Sequence, residues 1–360
     1  MKYLIKLFLI TFLTKWWKKV MQIEKVILAK RPIGEPTFDN FNLKIFNYSE
    51  IKTGEIFVKV KWLSLDPYMR GRMDSTKSYA SPVEIGEAME GECIGEIIDT
   101  KNEKFEIGEL VMGKFGWVSH AVSNGYGLRK LERTNIPEQN FLGVLGMPGH
   151  TAWTGLNKIA NAKKEETLVI SAASGAVGSL AGQLAKKKGL RVLGIAGSDQ
   201  KCSYVTNELG FDACINHNKV KNNMEFRNLI NSYCPNGVDI YFENVAGKTL
   251  EAIIPNMNDF GRIAVCGMIS WYSGKGLNEA MALPKLWRTI LVKRLKVSGF
   301  IIFDHKESYP QFIEEVSPFI QKQEIIYKED IRIGLSNAPS AFIDLLNGRN
   351  FGKMLVKVGD

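Results

Sequence analysis

Residues 166–182 read Glu166-Thr-Leu-Val-Ile-Ser-Ala-Ala-Ser-Gly-Ala-Val-Gly-Ser-Leu-Ala-Gly182: an apolar strand runs into a glycine-punctuated turn and then into an apolar helix. A dinucleotide pyrophosphate needs that order. Gly175 permits the tight turn, Gly178 keeps side-chain atoms away from the phosphates, and Ala181 and Gly182 let the helix lie close to the sheet with its N-terminal amides facing the anion. The spacing is Ala172-x-x-Gly175-x-x-Gly178, with alanine in place of the usual first glycine. A short glycine motif alone is weak evidence. Here the flanking strand and helix supply its required context and favour a nicotinamide-type cofactor, with Gly175, Ala176, Val177 and Gly178 on the pyrophosphate, over an ordinary tight turn.

The next apolar stretch, Leu190-Arg-Val-Leu-Gly-Ile-Ala-Gly197, ends where an NAD site offers Asp or Glu to the ribose 2′-hydroxyl. This chain has Gly197 and Ser198 there, with Asp199 displaced into the following turn and Lys201 just beyond. A small residue leaves room for a 2′-phosphate and a lysine supplies its counter-charge, so NADP is favoured over NAD. Without the strand-tip argument, Lys201 would read as an ordinary solvated lysine.

At 360 residues, 45% of them hydrophobic and 24% charged, the chain can bury a core large enough for two domains. Its net charge of +9 would admit nucleic acid or a membrane surface. Acidic residues are interspersed throughout, however, and no basic stripe interleaves with aromatics, so a diffuse field suited to an anionic cofactor suffices and no nucleic-acid partner is expected. The five cysteines, Cys93, Cys202, Cys214, Cys234 and Cys266, show neither metal spacing nor an even disulfide set, and a reducing, cytoplasmic setting is expected.

Residues 1–20 open with a basic and apolar run that Lys6 interrupts, followed by Lys15-Trp-Trp-Lys-Lys19. The run is too short to span a bilayer, and no small-residue cleavage site follows it. An interfacial anchor is conceivable, but the expectation is a non-structural extension ahead of a natural start at Met21, without stable membrane insertion. From residue 21 to 144, short alternating segments such as Glu55-Ile-Phe-Val-Lys-Val-Lys61 and Gly91-Glu-Cys-Ile-Gly-Glu-Ile-Ile98, separated by turn residues, predict a twisted β-barrel-like domain. Residues 145–311 alternate helices with five apolar strands, at 167–171, 191–196, 239–243, 262–266 and 296–302, and predict a doubly wound parallel sheet. The closing Gly352-Lys-Met-Leu-Val-Lys-Val358 reads as a strand of the first domain, so residues 312–360 return to it and the cofactor domain is an insertion.

Six ordered motifs carry a family resemblance: Ser64-Leu-Asp-Pro-Tyr-Met-Arg-Gly-Arg-Met73, Gly146-Met-Pro-Gly-His-Thr-Ala-Trp-Thr-Gly155, the turn after residue 171, Gly197-Ser-Asp-Gln-Lys201, Phe242-Glu-Asn-Val-Ala-Gly247 and Cys266-Gly-Met-Ile-Ser-Trp-Tyr272. Over about residues 21–358 the chain resembles the zinc-free medium-chain dehydrogenases/reductases, in the group of the prostaglandin reductases and NADP-dependent 2-alkenal reductases. The resemblance implies a Rossmann domain inserted in a GroES-like catalytic domain, a homodimer, and NADP(H) as cofactor. It also implies cofactor contacts from Asn244, from Cys266, Gly267, Met268, Ile269, Ser270 and Trp271 along the nicotinamide half, from Phe300, Ile301 and Ile302 beside the carboxamide, and from Asn350. Where relatives place a tyrosine on the adenosine phosphate, this chain has His217, whose charge near neutral pH would make NADP preference pH-dependent.

No metal is expected. Zinc-dependent relatives carry Gly-His-Glu-x-x-Gly where this chain has Glu90-Gly-Glu-Cys-Ile-Gly95, and His120, His150, His217 and His305 lie in separate segments. Without a Lewis acid, reduction of a conjugated C=C is the accessible chemistry: hydride reaches the β-carbon of an enal or enone, and negative charge gathers on the carbonyl oxygen. Tyr272, expected at the end of the fourth cofactor strand, is the candidate donor to that oxygen. Tyr68, Met147 and Trp153 are candidate pocket walls, each also an ordinary packing residue. A quinone reductase of the same superfamily is the alternative enzyme, and a non-enzymatic cofactor- or nucleic-acid-binding protein is a third reading.

Overall fold

The computed structural model describes residues 21–48, 50–76 and 78–359; the expectations for residues 1–20 lie outside the described residues. In chain order the elements are β1 (Met21–Leu28), β2 (Phe41–Tyr48), β3 (Ile56–Ser64), α1 (Met69–Arg72), β4 (Cys93–Thr100), β5 (Leu110–Gly113), β6 (His120–Ser123), β7 (Arg129–Leu131) and α2 (Met147–Thr154). The second half holds β8 (Thr167–Ser171), α3 (Ala176–Lys187), β9 (Arg191–Ala196), α4 (Asp199–Asn207), β10 (Ala213–Asn216), α5 (Asn223–Tyr233), β11 (Val238–Glu243), α6 (Gly247–Ile253), β12 (Met257–Val265), α7 (Leu283–Lys293) and β13 (Lys296–Gly299). The chain ends with α8 (Tyr309–Gln321), β14 (Glu329–Ile333), α9 (Ala338–Leu346) and β15 (Lys353–Lys357).

The first half, joined by β14 and β15 from the end of the chain, forms a seven-stranded sheet in the order β14-β15-β3-β4-β5-β7, with β6 also on β3. Strand β15 pairs antiparallel with β3, Leu355 facing Ser64. Its core centres on Trp117, fully buried, stacked on Phe41 at 5.6 Å with Phe342 edge-on at 5.6 Å.

The second half is a six-stranded sheet in the order β10-β9-β8-β11-β12-β13, with every pairing parallel. The order reverses between β8 and β11, which makes their carboxyl ends the switch point of a doubly wound fold. All five residues of β8 are buried, as expected for a central strand covered by helices on both faces. Helix α3 lies close because residue 182 has no side chain: a Cβ there would fall 1.8 Å from the Phe211 ring.

Two expectations need correction. The sheet has six strands rather than five, because Ala213–Asn216 is a four-residue edge strand too short and too polar to stand out by pattern. Tyr272 therefore follows the fifth strand. The expected return to the first domain at residue 312 falls inside α8, whose Phe312, Val316 and Ile320 share one apolar cluster with Leu168, Leu180 and Trp153. We set the return at β14, the first element of the other sheet.

Helix α2 is pinned to the segment before α8 by His150, whose Nε2 lies 2.8 Å from Ser308 Oγ. Burial, with His305 nearby, pushes His150 down to about 4, and burial beside Lys248 and Lys201 does the same to His217. Both rings stay neutral in the fold but take up protons in the unfolded chain below the ordinary value of 6.5. Their contribution to stability is therefore complete above that value and is lost as pH falls toward 4. A His150→Gln variant should be less stable at pH 7, by about 1 kcal/mol for the altered hydrogen bond, yet lose less stability than wild type between pH 6.5 and 4.5. Melting curves across that range measure both; parallel acid limbs would remove His150 from the account.

Candidate functional site

The glycine turn is shaped by its own backbone. Ala172, standing where the fingerprint has its first glycine, adopts φ 51, in the region glycine favours. A Cβ at Gly178 would sit 2.4 Å from the Ala172 carbonyl oxygen, so this glycine is required for the turn to close, before any phosphate is considered. Gly175 is the extended residue from which α3 starts, and Gly175, Ala176 and Val177 stay partly open to solvent. Ala176 opens onto a narrow cleft between the two sheets that Gly143, Tyr327 and Lys353 also line.

At the tips of β8 and β11, the buried Glu243 accepts hydrogen bonds at Oε1 from Ser171 Oγ (3.0 Å) and from the N–H groups of Val245 (2.6 Å) and Ala246 (2.9 Å). Ala246 is held at φ 68 by this arrangement. Asn244 donates its amide to the Ser171 carbonyl at 2.8 Å, so its side chain ties strand tips together and leaves its oxygen as the polar atom for a ligand. Sequence reasoning missed Glu243 and Ser171, since each reads as an ordinary end-of-strand residue.

The next layer is the turn of residues 266–272. Cys266 and Gly267 donate their N–H groups to the Glu243 carbonyl, Ile269 to Asn244 and Ser270 to Val245, so the turn folds over the β11 tip. Met268 and Ser270 face solvent, and Ile269 and Trp271 are half-buried. Burial pushes the Cys266 thiol up to about 12, which makes it inert as a nucleophile. Tyr272 bends back so that its hydroxyl accepts the Met268 N–H at 3.2 Å, and a Cβ at Gly267 would lie 3.0 Å from that oxygen. The phenolic proton remains available to a ligand. Burial raises the Tyr272 pKa, partly offset by the Met268 bond, and keeps the phenol protonated at neutral pH.

In the other half of the chain, the buried Arg72 of α1 lies over the rings of Tyr68 (5.5 Å) and Tyr79 (4.4 Å), an aromatic wall, and pairs with Glu90 at 2.7 Å. Among the groups that raise Tyr272 is the Tyr79 phenol, contributed by the other half of the chain. Burial holds Tyr68 protonated as well. Beneath the wall, Asp66 and Lys353 form a buried ion pair at 2.8 Å, and Lys353 also donates to the Leu65 carbonyl. Glu92, beside Asp66, is pushed up to about 7, chiefly by burial. Arg72 and Tyr79 were not legible beforehand, because nothing in the local sequence marks Arg72 as buried between two rings.

Two candidates turn out otherwise. Trp153 is 2% exposed, donates to Glu315 at 2.6 Å and packs on Phe312, so it belongs to the core between α2 and α8 rather than to a pocket wall. Phe300 and Ile302, each 9% exposed, turn their side chains inward, Phe300 against Phe242 and His305. Any contact they make at a cofactor face is through backbone, with Ile301 the half-exposed member. Met147 opens α2 and is half-buried.

A cationic corner lies beyond the β9 tip. Lys201 reaches from α4 to the Gly348 carbonyl at 2.7 Å, which brings it to the loop of Asn350, whose amide caps the Gly352 carbonyl. His217 sits against Gly197, 3.4 Å from where its Cβ would be, with Lys248 donating to the His217 carbonyl at 2.9 Å. At about 4 the ring is neutral across the physiological range, so the expected pH-dependent charge is absent from the free protein. Its Nδ1 is buried without a partner, and with Lys201 and Lys248 alongside it suits an anionic oxygen. Lys248, on the first turn of α6, was missed because nothing local marks it.

Two family models match the chain, an N-terminal domain of oxidoreductase over residues 24–131 and a zinc-binding dehydrogenase domain over residues 176–318. The NADPH-dependent curcumin reductase of Escherichia coli is 41% identical over 335 residues, covering 92% of this chain and 96% of that protein. The NADP-dependent 2-alkenal reductase of Nicotiana tabacum is 38% identical, covering 93% and 97%. The crystal structure of CurA from Vibrio vulnificus in complex with NADPH superposes with a TM-score of 0.88 at 43% identity, covering 94% of this chain and 99% of that one. The chain belongs to the medium-chain dehydrogenase/reductase superfamily, in the group of the curcumin, 2-alkenal and prostaglandin reductases.

Proposed function

We propose that this chain uses NADPH to reduce the C=C bond of α,β-unsaturated aldehydes and ketones without a metal. The observation that carries the reading is Tyr272, a protonated phenol with its proton free, in the turn that follows β12 and folds over the β11 tip at the switch-point end of the sheet. Relatives named for 2-alkenals and for (+)-pulegone support the substrate class. The residues fit an NADP cofactor: the turn of residues 175–178 for the pyrophosphate, and the corner of Lys201, Lys248 and the unpartnered His217 Nδ1 for the 2′-phosphate. They do not fit a catalytic zinc. Among the described residues no group of three or more His, Cys, Asp or Glu side chains could hold a metal ion, and Asp66 is already bonded to Lys353.

Bound NADPH supplies the hydride. The protein positions the conjugated system along the aromatic wall, and Tyr272 donates a hydrogen bond to the carbonyl oxygen as charge gathers there, an interaction stronger in the transition state than in the ground state. Because burial raises the phenol above its ordinary 10.0, the donor persists throughout the neutral and mildly alkaline range. Rates of NADPH oxidation with a short 2-alkenal should exceed those with a simple quinone; the reverse order would make the protein a quinone reductase.

Among the described residues no helix is long and apolar enough to cross a membrane. All five cysteines are free thiols, which supports a reducing, cytoplasmic setting. The partner we propose is a second copy. Strand β13 is a sheet edge with all four residues exposed, and beside it Leu283, Trp287 and Leu291 form an outward stripe at 64%, 65% and 76% exposure. Edge and stripe together make a self-complementary patch.

Three outcomes follow. Lys201→Ala should raise the KM for NADPH several-fold while leaving that for NADH nearly unchanged, since only one cofactor carries the phosphate; equal shifts in steady-state assays would remove the assignment. Tyr272→Phe should lower turnover on enones roughly 10- to 100-fold, for a hydrogen bond to developing charge of about 1.5–3 kcal/mol, with NADPH affinity near wild type. Wild-type turnover, with hydride transfer verified as rate-limiting by a deuterated-cofactor isotope effect, would reduce Tyr272 to a pocket wall. Changing both Trp287 and Leu291 to Glu should leave a folded monomer by light scattering; an unchanged dimer would place the interface elsewhere.

A further inference from the structure

The segments that lead into β14 and β15 lie side by side, because the two strands pair in parallel with Glu329 opposite Lys353. Gly352 makes the approach close. It holds φ 86, and a Cβ there would fall 2.0 Å from the Lys328 carbonyl oxygen and 2.9 Å from the Lys328 Cβ. The Lys353 N–H donates to the same carbonyl at 2.8 Å. Lys328 is thus fixed at its backbone, and its ammonium lies over the rings of Phe351 (4.1 Å) and Tyr204 (5.6 Å).

These rings lead back to the cationic corner. Tyr204 stands one turn along α4 from Lys201 and meets Phe351 edge-on at 5.0 Å, while Lys201 reaches the Gly348 carbonyl of the same loop. A continuous row runs from Lys201 through Tyr204 and Phe351 to Lys328. At its far end Lys328 lines the cleft onto which Ala176 opens, in the first turn of α3. The other charged residues of that cleft are already engaged. Lys353 donates to Asp66 and to the Leu65 carbonyl, and Glu329 accepts from Gln139 at 3.3 Å. Lys328 is exposed and makes no ion pair among the described residues.

We propose that Lys328 binds the pyrophosphate of the cofactor from the side opposite α3, so that the anion lies between the amides of one half of the chain and an ammonium of the other. The inference rests on residues 175–178 as the pyrophosphate turn and adds a counter-charge that the turn itself lacks. Helix amides are partial charges, and a full cation facing them strengthens the hold on a diphosphate whatever the ribose carries. A ring face attracts an ammonium without neutralising it, so Phe351 and Tyr204 place the charge and leave it available to an anion. Burial raises the Glu329 carboxyl, opposed by Gln139 and Lys353, which lessens its repulsion of that anion. The two lysines divide the cofactor between them: Lys201 answers to the 2′-phosphate, which NADPH alone carries, and Lys328 to the pyrophosphate, which NADPH and NADH share.

The test is calorimetric titration of the full-length protein with NADPH and with NADH, for wild type, Lys328→Met, Lys328→Arg and Lys201→Ala. Methionine keeps an apolar stem over the two rings and removes only the charge. Lys328→Met should bind both nucleotides several-fold more weakly, by the same factor, with a melting temperature near that of wild type. Lys328→Arg should stay near wild type for both, and Lys201→Ala should weaken NADPH alone. The proposal is overturned if Lys328→Met binds both nucleotides as wild type does, if it loses affinity for NADPH only, or if Lys328→Arg loses as much as Lys328→Met. A wild-type protein that binds neither nucleotide would remove the cofactor reading and this proposal with it. Wild-type binding with Lys201→Ala selective for NADPH, beside an unmoved Lys328→Met, would leave the cofactor reading standing and remove Lys328 alone.

Discussion

The carboxylate of Glu243 holds the functional end of this molecule together. One oxygen gathers the hydroxyl of Ser171 on a neighbouring strand and two consecutive backbone N–H groups of the loop that follows. Hydrogen bonds to a charged group are worth about 1.5–3 kcal/mol each, enough to offset the positive φ imposed on Ala246, for which strain is of order 1–3 kcal/mol. Burial pushes the carboxyl upward while those donors pull it back, so the site exists only because the donors converge on it. Asn244 is locked by the same junction, and the turn of residues 266–272 hangs from the carbonyls of residues 243–245. Tyr272 is placed by a relay of short-range constraints that begins with one buried acid.

The second sheet meets this junction through charge and aromatic contact. Arg72 is fully buried and therefore needs its carboxylate partner and its two rings; in return it holds Tyr68 and Tyr79 together on one wall. The Asp66–Lys353 pair joins β15, from the end of the chain, to the loop after β3, and breaking such a pair leaves an uncompensated buried charge. On the opposite side Arg129 lies over the rings of Phe141 and Tyr309, and His150 anchors Ser308. The contacts of Asp66 with Lys353, Arg129 with Tyr309 and His150 with Ser308 each join segments more than a hundred residues apart.

Much of the architecture was legible because it is written in local periodicity. The β8–turn–α3 unit, the alternating strands β3 and β4, and the returning strand β15 all follow from apolar spacing and glycine placement, with boundaries displaced by a few residues. What the pattern lost was weakly patterned or non-local. Strand β10 has four residues at a sheet edge. Trp153 could be placed on a helix but not assigned a face, and packing against α8 decided that it is core. The role of Gly178 was ascribed to a ligand, whereas the closest obstacle to a side chain is the Ala172 carbonyl.

By itself, the sequence determined the strongly patterned elements and their order, the position of the glycine turn and the absence of an acid at the β9 tip, because each depends on residues within a turn or two of one another. Only the tertiary structure decided that His217 is neutral with an unpartnered nitrogen between two lysines, that Tyr272 keeps its proton free by accepting from its own turn, and that Arg72 is buried between the rings of Tyr68 and Tyr79. Protonation and hydrogen-bond partnership depend on burial and on groups brought from distant parts of the chain. Neither quantity has a value until the chain has folded.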